Sequence, residues 1–276
     1  MIRVGFEDAD RYDRMRRFEW MDIEMIQSVR CLVVGAGALG NEVIKDMVLA
    51  GFKRITVVDM DEIVLSNLSR CLFFRESDVR VTGKAEIVAR RGMELDPSCR
   101  IVPVHSGIED VVDWDYDLIL GCVDNIEARM HINAYACYHR IPFIDGAIDG
   151  FLGKVQVILP GGPCLECTLN RTHVNIMEMR FTCTGNGKAF VPKSASDITT
   201  ASIIAAMQVR EALKLISGMQ GSCIHDILYY DGMSGDTVIC TIPISASCPN
   251  HGCVDESCNN SEEYGERIHD KDGSRV

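Results

Sequence analysis

The sequence predicts an α/β fold, a mostly parallel sheet with helices on both faces. Three observations predict it. Short apolar runs alternate with segments of helical length and periodicity through the first half of the chain, the pattern of consecutive βαβ units. The first run ends in a glycine turn, GAGALG at 35–40, which opens the next helical segment. The second run ends in Asp59, at the carboxyl end of its strand, where open sheets of this kind bind ligands.

Taken in order, the apolar runs at 31–34, 55–59, 100–104, 117–121 and 142–145 read as strands, and the segments 38–50, 84–95 and 126–139 between them as helices. A longer strand at 151–159 begins after a glycine-containing turn. From about 168 to 196 the chain is polar and aperiodic, holding Asn, Thr, Gly and Lys. That is too long for a routine connection and reads as a functional loop. A helix is expected over 197–217, with Ala206, Val209, Leu213 and Ile216 along one face, followed by short strands at 227–230 and 237–242. Residues 1–253 read as one unit. The stretch 254–276, rich in Asn, Glu, Asp and Ser, reads as a mobile tail.

Composition narrows the function. The 276 residues can bury one substantial core, and 47% hydrophobic with 25% charged residues is ordinary for a globular protein. A formal net charge of −12 argues against nucleic acid as the main partner, because phosphates would be repelled over most of the surface. No apolar run reaches the ~18 residues of a membrane helix, and residues 1–20 lack the apolar centre of a secretory signal. The expected location is the cytoplasm, with no membrane partner. Thirteen cysteines, an odd number scattered along the chain, then read as reduced thiols; Cys31, Cys122 and Cys137 read as small core hydrophobes.

The glycine turn allows close backbone approach at a helix start, where exposed N–H groups attract phosphate, and Asp59 is placed to accept from a ribose hydroxyl. An NAD enzyme needs both, so neither discriminates. Arg70 and Lys84 do: both follow the second strand closely enough to fold back over the phosphates and stabilise charge at an α-phosphate under attack. Asp124, just after the strand at 117–121, is a natural Mg²⁺ ligand. Each of these residues alone suits a solvated surface; Arg70, Lys84 and Asp124 on one rim favour ATP.

At this point the chain resembles the adenylation domain of the ubiquitin-activating enzyme family, whose members also activate sulfur carriers in bacteria. The motifs are RYDR (11–14), GAGALG (35–40), DMDEIVLSNLSR (59–70), GKAE (83–86), CVDN (122–125), IDGAIDGFLGKVQVILPG (144–161), CLEC (164–167) and ASIIAAMQVREALKL (201–215). They run in order to about Cys253. The resemblance implies a Rossmann-like domain that uses Mg·ATP. Its ATP contacts would be Gly35, Gly37, Gly40, Asp59, Asp61, Asn67, Arg70, Lys84, Asp124 and Asn125, with Asp59 on the ribose and Asn67, Arg70 and Lys84 on the phosphates. Asp124 would hold Mg²⁺, and Arg14 would reach the γ-phosphate from the partner subunit of a homodimer. Two departures stand out. Cys71 occupies a position where glutamine is usual, and the stretch before Lys84 is one residue longer than usual.

Cys164-Leu165-Glu166-Cys167 has the spacing of half a zinc site, and Cys248-Pro249-Asn250-His251-Gly252-Cys253 supplies a second half. The expected structural zinc is held by Cys164, Cys167, Cys248 and Cys253, with His251 as the rival fourth ligand. Cys183, in Arg180-Phe181-Thr182-Cys183-Thr184, stands where eukaryotic-type members of the resembled family carry the thiol that takes the activated carboxyl as a thioester. The function expected is ATP-dependent activation of a ubiquitin-like protein: adenylation of its free C-terminal carboxylate, thioester formation on Cys183 and transfer to a conjugating enzyme. Three alternatives stay open: a sulfur-carrier adenylyltransferase acting without a thioester, an NAD-dependent oxidoreductase resting on the glycine turn and Asp59, and a non-catalytic partner subunit resting on the two departures.

Overall fold

The computed structural model describes residues 8–168, 195–224 and 227–251. A single sheet of eight strands organises them: β1 (Arg30–Val34), β2 (Arg54–Val58), β3 (Arg100–Val104), β4 (Leu118–Gly121), β5 (Phe143–Asp149), β6 (Leu152–Ile158), β7 (Ile227–Asp231) and β8 (Asp236–Cys240). The spatial order is β3-β2-β1-β4-β5-β6-β7-β8. Strands β1 to β5 pair in parallel, and β5 to β8 continue the same sheet antiparallel.

Alternation along the parallel strands divides the core in two. Cys31, Val33, Ile55, Val57, Ile101, Leu118 and Leu120 face one layer, which holds α2 (Ala38–Ala50), α3 (Lys84–Leu95) and α5 (Ile198–Ile216). Leu32, Val34, Val58, Ile119 and Phe143 face the other, where α4 (Ile126–His139) packs through Ala128, Ile132 and Ala136. Near-continuous apolar strands are what a sheet covered on both faces requires. The short α1 (Ile23–Ser28) joins the first layer through Ile23 and Ile26. Helix α2 buries ten of its thirteen residues, so it is held by packing from every side.

Local signals set the element ends. Helix α2 stops at Gly51, whose φ of +105° is the left-handed cap that glycine adopts without penalty. Helix α4 starts at Asn125, which accepts a 2.7 Å hydrogen bond from the Ala128 N–H. Helix α5 starts at Asp197, which accepts from the Thr199 and Thr200 N–H groups. Its buried face runs through Ala201, Ile204, Ala205, Val209 and Ala212, while Ala206, read from sequence on that face, is exposed. No helix among the described residues is long and apolar enough to cross a membrane.

Candidate active site

Beside β1 the sheet order reverses: β1 continues through α2 to β2 on one side, and β4 continues through α4 to β5 on the other. The carboxyl ends of β1 and β4 lie side by side at this point, the usual ligand position in such sheets. The glycine turn and the 122–125 turn meet there. Gly35 N–H donates to Val58 O at 2.8 Å and Cys122 N–H to Val34 O at 2.7 Å, fixing both turns to the strand ends. A side chain on Gly35 would place its Cβ 2.5 Å from Cys122 O, and one on Gly40 would come 1.9 Å from Gly35 O. Gly37, the N-cap of α2, has nothing within 4 Å of where its Cβ would be. That open side lies at a helix N-terminus, where free N–H groups favour an anion.

Asp59 follows β2 and closes the turn from below. Its Oδ2 accepts from Ala36 N–H at 2.7 Å and its Oδ1 from Asp61 N–H at 2.8 Å. Burial pushes its carboxyl above the ordinary value, opposed by the charge of Lys84 and by the two N–H groups. Lys84 is the first residue of α3, and its Nζ is 2.6 Å from Asp61 Oδ2. The longer approach to Lys84 therefore leaves it aimed back at the 59–61 turn, with only 11% of its side chain exposed.

Arg70 follows in the loop after β2, where its guanidinium donates to Ser66 O, and the neighbouring Cys71 is buried. Burial drives the Cys71 thiol up to about 12, against the charges of Arg70 and Lys84 and together with those of Asp59 and Glu42. Asn67 is buried and its Oδ1 accepts from Val64 N–H at 2.9 Å, holding the loop that carries Arg70. Asp124 is exposed on the rim, next to the Asn125 cap of α4. The structure thus brings Gly35, Gly37, Gly40, Asp59, Asp61, Asn67, Arg70, Lys84, Asp124 and Asn125 to one end of the sheet.

Arg14 is not among them. Its neighbour Tyr12 packs on Gly51, 3.1 Å from that residue's Cβ position, at the C-terminal end of α2. The glycine turn is at the other end of that 13-residue helix, roughly 20 Å away at 1.5 Å per residue. Arg14 is 75% exposed and pairs only with Asp8, at 3.1 Å, among the described residues.

The cysteine cluster lies on the α4 side of the sheet. Cys164 Sγ is 3.9 Å from Cys167 Sγ and 3.5 Å from Cys248 Sγ. Four ligands around a tetrahedral zinc, with Zn–S near 2.3 Å, set neighbouring sulfurs about 3.8 Å apart, so the spacing fits. His251 completes a group whose ligand atoms all lie within 4.8 Å of one another, and its Nε2 is buried with no hydrogen-bond partner among the described residues. Cys137, read from sequence as a core hydrophobe, also reaches the group. Its hydrogen bond, with help from Asn133 and Asn250, holds the Cys164 thiol well below its ordinary value against the effect of burial. Asn250 Nδ2 is 3.6 Å from Cys164 Sγ and 3.0 Å from Glu166 Oε2. Three cysteine sulfurs and an idle imidazole nitrogen this close together are a donor set suited to a cation.

The decisive comparison is with family models: the model described as the ThiF family matches residues 11–253. The chain belongs to the ThiF family. Three curated relatives show where this ThiF-family chain stands. It is 44% identical to the NEDD8-activating enzyme E1 catalytic subunit of Arabidopsis thaliana over 158 residues, 51% of this chain and 35% of that protein. It is 34% identical over 154 residues to the ubiquitin-activating enzyme E1-like protein of Saccharomyces cerevisiae, 53% of this chain and 24% of that one. With SUMO-activating enzyme subunit 2 of Dictyostelium discoideum it shares 35% over 150 residues, 52% of this chain and 22% of that protein. The matches thus span about half of this chain and no more than about a third of those relatives. Among solved structures, E. coli MccB with ATP superposes with a TM-score of 0.73 at 18% identity, covering 90% of this chain and 76% of that one. MccB in complex with N-formylated MccA gives 0.74 at 18%, covering 91% and 77%. This likeness is one of fold.

Two of the sequence-predicted site residues, Cys183 and Cys253, lie outside the described residues. Of the loop read over 168–196, residues 169–194 lie outside the described residues, and Thr168 ends a short 3-10 turn, Leu165–Thr168. Sequence reasoning also missed Asn41. It is fully buried in α2, its Nδ2 donates to Ala36 O at 2.8 Å and Gly37 O at 2.9 Å, and its Oδ1 accepts from Phe73 N–H at 2.9 Å. It staples the glycine turn to the segment after Arg70. An asparagine in the first turn of the helix, directly after the glycine turn, was the available signal.

Proposed function

We propose that the chain adenylates the C-terminal carboxylate of a ubiquitin-like protein with Mg·ATP. The observation that carries this reading is Lys84 turned back onto the Asp59–Asp61 turn beside an open helix N-terminus, with Arg70 on the loop that follows β2. A redox dinucleotide needs the glycine turn and Asp59 but gives two cations nothing to do. Here they meet charge that grows on an α-phosphate under attack. The carrier carboxylate oxygen forms the new O–P bond, pyrophosphate leaves with the broken one, and an acyl-adenylate remains. Asp59 holds the ribose. The N–H groups near Gly37, with Asn67, Arg70 and Lys84, bind and orient the phosphates, and Asp61 and Asn125 line the pocket. Mg²⁺, held by Asp124 and by ATP's own oxygens, would neutralise part of the phosphate charge.

The adenylation unit spans 1–253, and the stretch 168–196 carries the second step. The Cys183 thiolate attacks the acyl carbon, AMP leaves, and a thioester remains for transfer to a conjugating enzyme. The chain works as a homodimer in which Arg14 serves the partner's nucleotide, which accounts for its place at the far end of α2. Zinc bound by Cys164, Cys167, Cys248 and His251 or Cys253 is structural, since four protein ligands leave no open position.

Arg70→Ala and Asp124→Ala test the nucleotide reading. Each should lower carrier-dependent ATP–pyrophosphate exchange by about 10²-fold or more, the usual cost of one electrostatic contact made in the transition state. Exchange within a few-fold of wild type in both variants would remove the assignment.

A further inference from the structure

A buried polar knot near the start of the described chain has no part in the chemistry above. Tyr12 is 4% exposed; its hydroxyl donates to Asp96 Oδ2 at 2.9 Å and accepts from Lys53 Nζ at 2.8 Å. Lys53 also reaches Asp96 Oδ2 at 2.5 Å and Ser98 Oγ at 2.6 Å. Arg11 adds an ion pair to Asp96 Oδ1 at 2.9 Å and a hydrogen bond to Leu95 O at 3.0 Å. Residues 11 and 12 are therefore tied to two separate elements, the α2–β2 junction at Gly51 and Lys53 and the C-terminal end of α3 at Leu95 and Asp96.

The next turn is built on this anchor. Met15 and Arg16 N–H groups both bond Tyr12 O, at 2.9 and 3.0 Å, and a 3-10 turn follows over Met15–Arg17. Arg14 stands at the N-cap of that turn with its side chain 75% exposed. Apolar packing of the Tyr12 ring on Gly51 would suffice to hold the chain down. The additional polar ties fix orientation, because each is directional and the Tyr12–Asp96 bond at their centre is buried.

We propose that Tyr12, Asp96, Lys53 and Arg11 are positioning residues that hold the 12–17 turn in a fixed attitude, so that Arg14 enters the nucleotide site of a second copy already aimed. This rests on the reading that Arg14 acts across a dimer. None of the four touches the nucleotide. Their contribution is preorganisation, since a cation misplaced by about 1 Å can cost on the order of 10²-fold in rate.

The test uses mixed dimers, purified through two different tags. One chain carries Arg14→Ala and keeps an intact pocket; the other carries Arg70→Ala and keeps an intact Arg14. Such a dimer has one complete site, so exchange should recover to about half the wild-type rate while either homodimer stays low. Adding Tyr12→Phe with Arg11→Ala to the chain that donates Arg14 should lower that recovered rate by about 10-fold or more. The same pair in the chain that lacks Arg14 should change it less than twofold. Equal loss from either chain, or no loss from the donor, overturns the positioning role. Absence of any recovery in the parent mixed dimer overturns the cross-dimer reading of Arg14, and the inference with it. Tyr12→Phe alone keeps the ring on Gly51, so a smaller loss with the same asymmetry is expected even if the double variant folds poorly.

Discussion

The glycines of the 35–40 turn should separate folding from nucleotide binding. In Gly40→Ala the new Cβ would sit 1.9 Å from Gly35 O, about 1 Å inside the 3.0 Å floor of real Cβ contacts. The obstacle is backbone, which no rotamer change relieves, so the cost should lie at the upper end of the ~1–3 kcal/mol typical of overpacking. For a chain of this size that lowers Tm by roughly 6–12 °C. In Gly37→Ala the Cβ meets nothing within 4 Å, and the backbone is extended, with φ −74° outside the left-handed region that favours glycine. Only the weak N-cap preference for glycine over alanine is lost, at most about 1 kcal/mol. Yet its methyl group would occupy the side from which phosphates approach. Loss of one or two charge-assisted hydrogen bonds, at about 1.5–3 kcal/mol, should raise the KM for ATP by roughly 10- to 10²-fold. Thermal unfolding and ATP–pyrophosphate exchange on both variants give the four numbers needed. If Gly37→Ala melted as low as Gly40→Ala, or bound ATP as the wild type does, phosphate binding at this helix start would be refuted.

Three other outcomes follow from the same structure. Purified protein should carry near one zinc per chain, and Cys164→Ala should lose it and melt lower before exchange falls, because ligand binding contributes to folding; His251→Ala against Cys253→Ala then names the fourth ligand, and a metal-free, equally stable protein would end the zinc reading. Burial alone would raise Asp96, but hydrogen bonds from Lys53, Ser98 and Tyr12 overcome this and hold it below its ordinary value. Its contribution to stability should thus be complete above the unfolded value near 4 and decline as pH falls toward the folded one, so the gap in urea midpoint between wild type and Asp96→Asn should narrow below about pH 4; a constant gap contradicts it. Cys183→Ala should keep carrier-dependent exchange and lose the reductant-sensitive adduct with the carrier; an adduct formed at the wild-type rate moves the nucleophile elsewhere, and a wild type that adenylates without any adduct favours sulfur-carrier chemistry.

The parallel half of the fold was legible because its signals are local. Apolar runs mark β1 to β4, and the spans of α2, α3 and α4 coincide with the sequence reading, where Gly37, Gly51, Gly83 and Asn125 stand at helix ends. What depends on distant partners was not legible. Strand β5 continues past Asp145, where the sequence reading ended it, through Gly146 to Asp149, and the buried Asp145 is neutralised by Arg129 at 2.7 Å and Lys154 at 3.1 Å. The six-residue α1 is too short to show a helical period. The site followed the same division. The glycine turn, Asp59, Arg70 and Lys84 fall in one continuous stretch and were read together, whereas the ties of Tyr12 to Lys53 and Asp96 cross 41 and 84 residues. Cys137 likewise showed its place beside Cys164 only once α4 was packed.

The central claim, that this chain adenylates a protein carboxylate, is tested most directly by ATP–pyrophosphate exchange with a panel of ubiquitin-like and sulfur-carrier proteins, each supplied with a free and with an amidated C-terminus. The account predicts exchange with at least one carrier, its loss on amidation, and its reduction by about 10²-fold in Arg70→Ala. Exchange that persists with the amidated carrier, or a wild-type chain that exchanges with none of the panel and binds NAD in preference to ATP, would contradict it.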